Sequence, residues 1–92
     1  MPYRAPLAEY ELALAHMVDA GRLSETERFA EATPETMRAV LAEAAKLCDG
    51  VLAPLDRVGD AHPARLENGE VRTPPGFAEA YGAIRDGGWC GV

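Results

Sequence analysis

Residues 33–58, TPETMRAVLAEAAKLCDGVLAPLDRV, constrain this chain more than any other stretch. At about 100° per residue, Val40, Leu41, Ala44, Cys48, Val51, Leu52, Leu55 and Val58 fall within about 60° of one direction. Glu35, Arg38, Glu43, Lys46, Asp49 and Asp56 fall elsewhere on the wheel. The pattern predicts one long amphipathic helix. Thr33 is a good N-cap, Pro34 suits a first position where no N–H is needed, and Glu35 meets the positive end of the dipole. Pro54 disturbs it: it has no N–H for the carbonyl of Gly50, and its ring crowds that carbonyl. Because the apolar face stays in phase through Val58, a kink between Gly50 and Pro54 is expected, not two separate helices.

Such a helix needs partners, and the flanking segments offer them. Pro2 and Pro6 make residues 1–6 an extended arm. Leu7, Tyr10, Leu14, Met17 and Val18 then repeat at helical spacing up to a stop at Gly21. Glu11 sits among these apolar positions while Leu12 and His16 lie opposite, so this helix reads as covered on two sides or touching another subunit. Ser24 with Glu27 three residues on has the capping-box pattern, which predicts a short helical turn anchored by Phe29.

Beyond Val58, Gly59 ends regularity and Pro63 disfavours helix at His62. Asn68-Gly69 between Leu66 and Val71 is a strong hairpin signal, because a type I′ turn needs positive φ at both central residues. Two short strands are not stable alone, so the ribbon is expected to lie on the helices. Thr73-Pro74-Pro75 opens a last helix whose Phe77, Ala80, Tyr81 and Ile84 share a face, and Gly87-Gly88 stops it. The fold class is therefore mostly α: a small bundle of about three main helices plus a short one, with a small β-hairpin.

Ninety-two residues bound this to one domain, and 48% hydrophobic residues are enough for a core. The net charge of −6, with no basic cluster, speaks against nucleic acid. The first residues lack an apolar signal core and no run reaches the length of a membrane span, which makes the cytoplasm the default location.

Chemistry is hard to find. Cys48 and Cys90 have no CxxC or Cys/His spacing and read as a buried thiol and a surface thiol. His16 reads as a surface or capping histidine. Asp56, Asp60 and His62 could bind a metal weakly, but a solvated helix end is the simpler reading. The Gly87-Gly88-Trp89-Cys90-Gly91 cluster lacks the following helix that phosphate binding requires. No catalytic, cofactor-binding or metal-ligating residue is assigned.

The order of landmarks resembles a known family. MPYRAPL is followed by a helix, by Glu31-Ala32-Thr33-Pro34-Glu35, and by a helix carrying Val51-Leu52-Ala53-Pro54-Leu55 up to Arg57-Val58-Gly59-Asp60. Then come Arg65-Leu66-Glu67-Asn68-Gly69, Val71, Thr73-Pro74-Pro75-Gly76-Phe77, Ala80-Tyr81 and Gly88-Trp89. Over essentially the whole chain this is similar to the N-terminal α-helical domain of the acyl-CoA dehydrogenase family, in particular the longer bacterial members that include the 3-methylmercaptopropionyl-CoA dehydrogenases. Pro63 departs from the pattern, which would have Gly there, and puts the shape of that loop in doubt.

The resemblance implies a flavoenzyme several hundred residues long, with a β-domain and a C-terminal helical bundle after this domain. FAD lies between those two later domains. A Glu of the C-terminal part removes the α-proton of an acyl-CoA while the β-hydride passes to the flavin. None of those residues is present here, so residues 1–92 are expected to be an N-terminal domain fragment, without FAD and inert by itself. Its implied partners are the remaining domains, with acyl-CoA bound only by the full-length protein. A free-standing helical interaction module is the alternative, and a small cysteine enzyme built on Cys90 a third reading. Trp89, with three residues behind it, is expected to stay uncovered and to join Ile84, Tyr81 and the edge near Leu12 in a homodimer.

Overall fold

The computed structural model describes residues 2–91. Among these are four α-helices: α1 (Leu7–Leu12), α2 (Pro34–Leu47), α3 (Pro54–Ala61) and α4 (Phe77–Asp86). One antiparallel hairpin joins β1 (Arg65–Glu67) to β2 (Glu70–Arg72). The mostly helical fold with a small hairpin is the one the sequence predicts. Packing divides the chain into two compact units, Arg4–Lys46 and the remainder from Leu47 onward, which takes in Pro2 and Tyr3.

In the first unit, α1 passes into a π-turn at Ala13–Met17, where the Val18 N–H donates to the Ala13 carbonyl at 3.1 Å. The helix stops before Gly21, because Asp19 turns left-handed (φ 48°) and opens a 3₁₀ segment, Ala20–Glu25. The expected capping box does not form. The Ser24 hydroxyl donates backwards to the Gly21 carbonyl (2.8 Å), and Thr26 caps the next turn by accepting the Phe29 N–H at 3.3 Å. Phe29 is no anchor either: it is exposed, with the Arg28 guanidinium 5.4 Å from its ring centre. The reason is competition, since a serine inside a 3₁₀ turn finds a nearer carbonyl than the N–H it would cap.

The start of α2 follows its sequence closely. Thr33 Oγ1 accepts the Thr36 N–H at 3.2 Å, and the Met37 N–H donates to the Thr33 carbonyl at 2.9 Å. Glu11, an oddity on the apolar side of α1, has its explanation here: its carboxylate meets Arg38 Nε of α2 at 3.2 Å. Both side chains are more than half exposed, so the pair orients the helices more than it stabilises them.

The disturbance expected at Pro54 is a π-turn, Cys48–Leu52. The Ala53 N–H reaches back five residues to the Cys48 carbonyl at 2.8 Å, and α3 begins on Pro54. Helical dihedrals persist at Leu47 (φ −64°, ψ −48°) and Ala53 (φ −59°, ψ −42°), so the helix is disturbed and not broken. The apolar face is less buried than its periodicity predicts. Leu41, Ala44, Cys48, Leu52, Leu55 and Val58 are half-buried, whereas Val40 and Val51 are exposed. Among the described residues the buried ones are small: Ala20, Ala45, Pro74 and Ala80.

In the second unit, a Cβ built on Gly59 would lie 3.0 Å from Phe77 Cζ, so the ring of Phe77 sits directly on α3. Gly76 (φ 84°) makes the turn into α4, which therefore starts at Phe77, later than the Thr73-Pro74-Pro75 lead-in implies. The hairpin forms in the predicted register, Leu66 opposite Val71, with Asn68 (φ 52°) and Gly69 (φ 79°) in the turn. Its expected seat on the helices is not observed. Leu66 and Val71 are 74% and 69% exposed, while Arg65, Glu67, Glu70 and Arg72 pair among themselves on the other face at 3.0 to 3.9 Å. The backbone pairing joins the two strands, and of the three ion pairs only Arg72 with Glu67, at 3.9 Å, crosses between them.

Trp89 also corrects an expectation. It is half-buried rather than uncovered, because the chain doubles back after α4. Gly88 takes a left-handed φ of 80°, its N–H donates to the Arg85 carbonyl, and the indole folds against Gly87. A Cβ on Gly87 would stand 2.9 Å from Nε1 and 3.1 Å from the Ala83 carbonyl oxygen. Of the expected dimer patch, Tyr81 (60%) and Leu12 (58%) are exposed, while Ile84 is half-buried.

Two substitutions test this packing. Gly87→Ala should push the indole off the helix end, with Trp89 emission moving to longer wavelength and a stability loss of roughly 1–3 kcal/mol. An unchanged emission maximum would contradict the observed seat. Leu41→Ala should cost about 1–2 kcal/mol in denaturant melts, below the roughly 2–5 kcal/mol of a fully buried leucine. A loss under about half a kcal/mol would mean that this face is solvated.

Candidate functional site

A concavity lies within the second unit, where Pro2 and Tyr3 of the arm share its lining with residues of the π-turn and the start of α3. It is an open groove of about 850 Å³ with a mostly apolar lining. Leu52, Ala53 and Pro54 supply the apolar part, Tyr3 a phenol, and Cys48 a thiol that is half-buried and free. Among the described residues of the lining, Asp49, Asp56 and Arg57 are charged. Three residues of the π-turn that precedes Pro54, namely Cys48, Asp49 and Leu52, belong to the lining.

A smaller cleft of about 250 Å³ belongs to the first unit. Leu14, Met37 and Leu41 line it, with the Glu11–Arg38 pair and the left-handed Asp19 among its polar groups. It is the gap between two helices whose facing side chains are half-buried.

The residues weighed from the sequence do not assemble. Cys90 is exposed and outside the groove lining, and His16 is exposed in the first unit. Asp56 lines the groove, whereas Asp60 and His62 do not. Among the described residues no three His, Cys, Asp or Glu side chains are grouped so as to hold a metal ion. Sequence reasoning missed the groove itself. Its one signal was Pro54 inside an apolar repeat, and the contribution of Tyr3 came from a distant segment that no periodicity links to it.

The groove does not fit a flavin dinucleotide. A pyrophosphate placed here would meet the carboxylates of Asp49 and Asp56. The start of α3 offers no anion cradle, since Pro54 has no N–H and the Asp56 N–H is already given to the Ala53 carbonyl at 3.2 Å. No step through FAD is derived for these residues.

No family model matches the chain. It is similar to 3-methylmercaptopropionyl-CoA dehydrogenase of Ruegeria pomeroyi, with 35% identity over 89 residues. The match covers 97% of this chain but 15% of that protein, so the chain corresponds to a small part of the relative. Among the described residues no helix is long and apolar enough to cross a membrane.

The two thiols give a direct check of the groove. A neutral alkylating agent followed by mass spectrometry should modify exposed Cys90 several-fold faster than half-buried Cys48. Faster modification at Cys48 would mean that the groove is more open than described.

Proposed function

We propose that this chain is the N-terminal helical part of an FAD-dependent acyl-CoA dehydrogenase, an oxidoreductase that introduces an α,β double bond into an acyl-CoA thioester. The observation that carries this reading is the similarity to the Ruegeria pomeroyi enzyme along 97% of the chain. The mostly helical architecture with its hairpin is consistent with it. The chain spans about one-seventh of that relative, so the activity, the acyl-CoA substrate, the flavin and the metabolic role in acyl-chain oxidation are attributes of the full-length protein.

In this reading the 92 residues are a structural module. They present surfaces to the remaining domains, while flavin, catalytic base and thioester are held elsewhere. The full-length protein would work in the cytoplasm, as a homo-oligomer. Exposed Leu12, Leu66, Val71 and Tyr81 are candidates for contacts between domains or copies.

The test is whether the reading frame continues past Val92 into a β-domain, and what the full product does. The full-length protein should be yellow and should reduce an electron-accepting dye with an acyl-CoA, while the isolated 92-residue chain should be colourless and inactive. Turnover by the isolated chain, or a stop codon after Val92, would overturn the proposal.

A further inference from the structure

We propose that Asn68-Gly69 is a self-modifying site, at which the hairpin turn converts its own asparagine into aspartate and isoaspartate and so unfastens the hairpin. The inference stands apart from the function proposed above. Asn68 is the only side-chain amide in the sequence, and the residue after it has no side chain to shield its backbone nitrogen. Both residues are exposed, and a Cβ built on Gly69 would meet nothing within 4 Å. Among the described residues neither the Asn68 amide nor the Gly69 N–H has a hydrogen-bond partner. Electrophile and nucleophile are adjacent, solvated and unengaged.

The Gly69 nitrogen, once deprotonated, attacks Asn68 Cγ. A bond forms between them, the Cγ–Nδ2 bond breaks, and ammonia leaves with the proton that the backbone nitrogen gave up. Water then opens the cyclic imide. Opening at Cγ leaves an ordinary aspartate, whereas opening at the main-chain carbonyl leaves isoaspartate, with the chain running through Cβ. No electron is gained or lost, and water is the sole co-reactant.

Folding decides whether this chemistry is accessible. Ring closure asks for a different ψ at Asn68 from the left-handed value that a two-residue turn imposes, so the turn must open first. Little resists that opening. Each strand has three residues, Leu66 and Val71 are 74% and 69% exposed, and two short strands without a seat are marginal. The ladder also sets Glu67 opposite Glu70, two like charges at the mouth of the turn. The Asp-Gly pairs, which could form the same imide, are held. Asp49-Gly50 lies inside the π-turn, and the Gly87 N–H after Asp86 donates to the Ala83 carbonyl at 3.1 Å. Conversion at Asn68 places a new carboxylate between Glu67 and Glu70. Isoaspartate also adds a methylene to the main chain of a turn whose two residues set the register.

The test incubates the 92-residue chain in mildly alkaline buffer beside a free peptide of residues 65–72, and follows the products by peptide chromatography and mass spectrometry. The folded chain should convert within about tenfold of the rate of the peptide, because a marginal hairpin is open for a sizeable fraction of the time. Conversion should quicken as the pH rises, since the nitrogen attacks without its proton. Asn68→Gly, which suits the same turn, should show no mass gain in this segment. The pair Leu66→Trp and Val71→Trp should slow conversion about twofold or more, since a cross-strand aromatic pair holds the hairpin closed. In the isolated isoaspartate product the cross-strand nuclear Overhauser contact between Leu66 and Val71 should be lost, with the helical circular dichroism unchanged. Asn68 still intact in the folded chain after the peptide has been consumed would overturn the proposal, as would an isoaspartate product that keeps the hairpin.

Discussion

A missing hydrogen-bond donor governs the middle of this molecule. Pro54 cannot serve the carbonyl four residues before it, and an α-helix that ignored this would leave a polar group unpaired and a ring against backbone. The π-turn removes the conflict by letting the Ala53 N–H reach the Cys48 carbonyl at 2.8 Å. The helix then resumes on the proline itself, where the absent N–H costs nothing. Cys48, Asp49 and Leu52 of this turn line the groove. The resumed helix carries Gly59, on which the ring of Phe77 rests at the entry to α4.

The core that results is made of small side chains. Alanines such as Ala20, Ala45 and Ala80 let backbones approach, but each removes little apolar area from water, and at roughly 25 cal/mol per Å² the gain is modest. Larger side chains are arranged around the alanines at partial burial. Under the proposed reading this is the expected state of a module whose larger apolar side chains complete their burial against other domains. The hairpin shows the same division in miniature. Its charged face satisfies itself through Arg65, Glu67, Glu70 and Arg72, leaving Leu66 and Val71 to whatever surface they meet.

Local chemistry was legible in the sequence, and tertiary choice was not. Thr33 as N-cap, Asn68-Gly69 as a two-residue turn and Gly88 as a left-handed helix stop each depend on a few adjacent atoms, and each occurs as the residues dictate. The capping box at Ser24 failed because a neighbouring carbonyl competed for the hydroxyl, a choice that composition does not decide. Val40 misled for a geometric reason. It lies about 140° around the helix from Ala45, and burial is centred nearer Ala45 and Leu41 than the mean direction of the apolar set. Trp89 misled because its cover comes from behind, with the indole folded back onto Gly87 two residues earlier. The groove needed Tyr3 beside Leu52, a pairing across some fifty residues that no repeat encodes.

The landmarks of the family resemblance are, almost without exception, residues that build this fold. Thr33-Pro34-Glu35 starts α2, Pro54 forces the π-turn, Gly59 and Phe77 form one contact, Asn68-Gly69 turns the hairpin, and Gly88-Trp89 closes α4. A likeness carried by such residues speaks to a shared scaffold, because caps, turns and close approaches are what a backbone of this shape demands. Under the proposed reading, the chemistry of the relative belongs to the full-length protein and not to these residues.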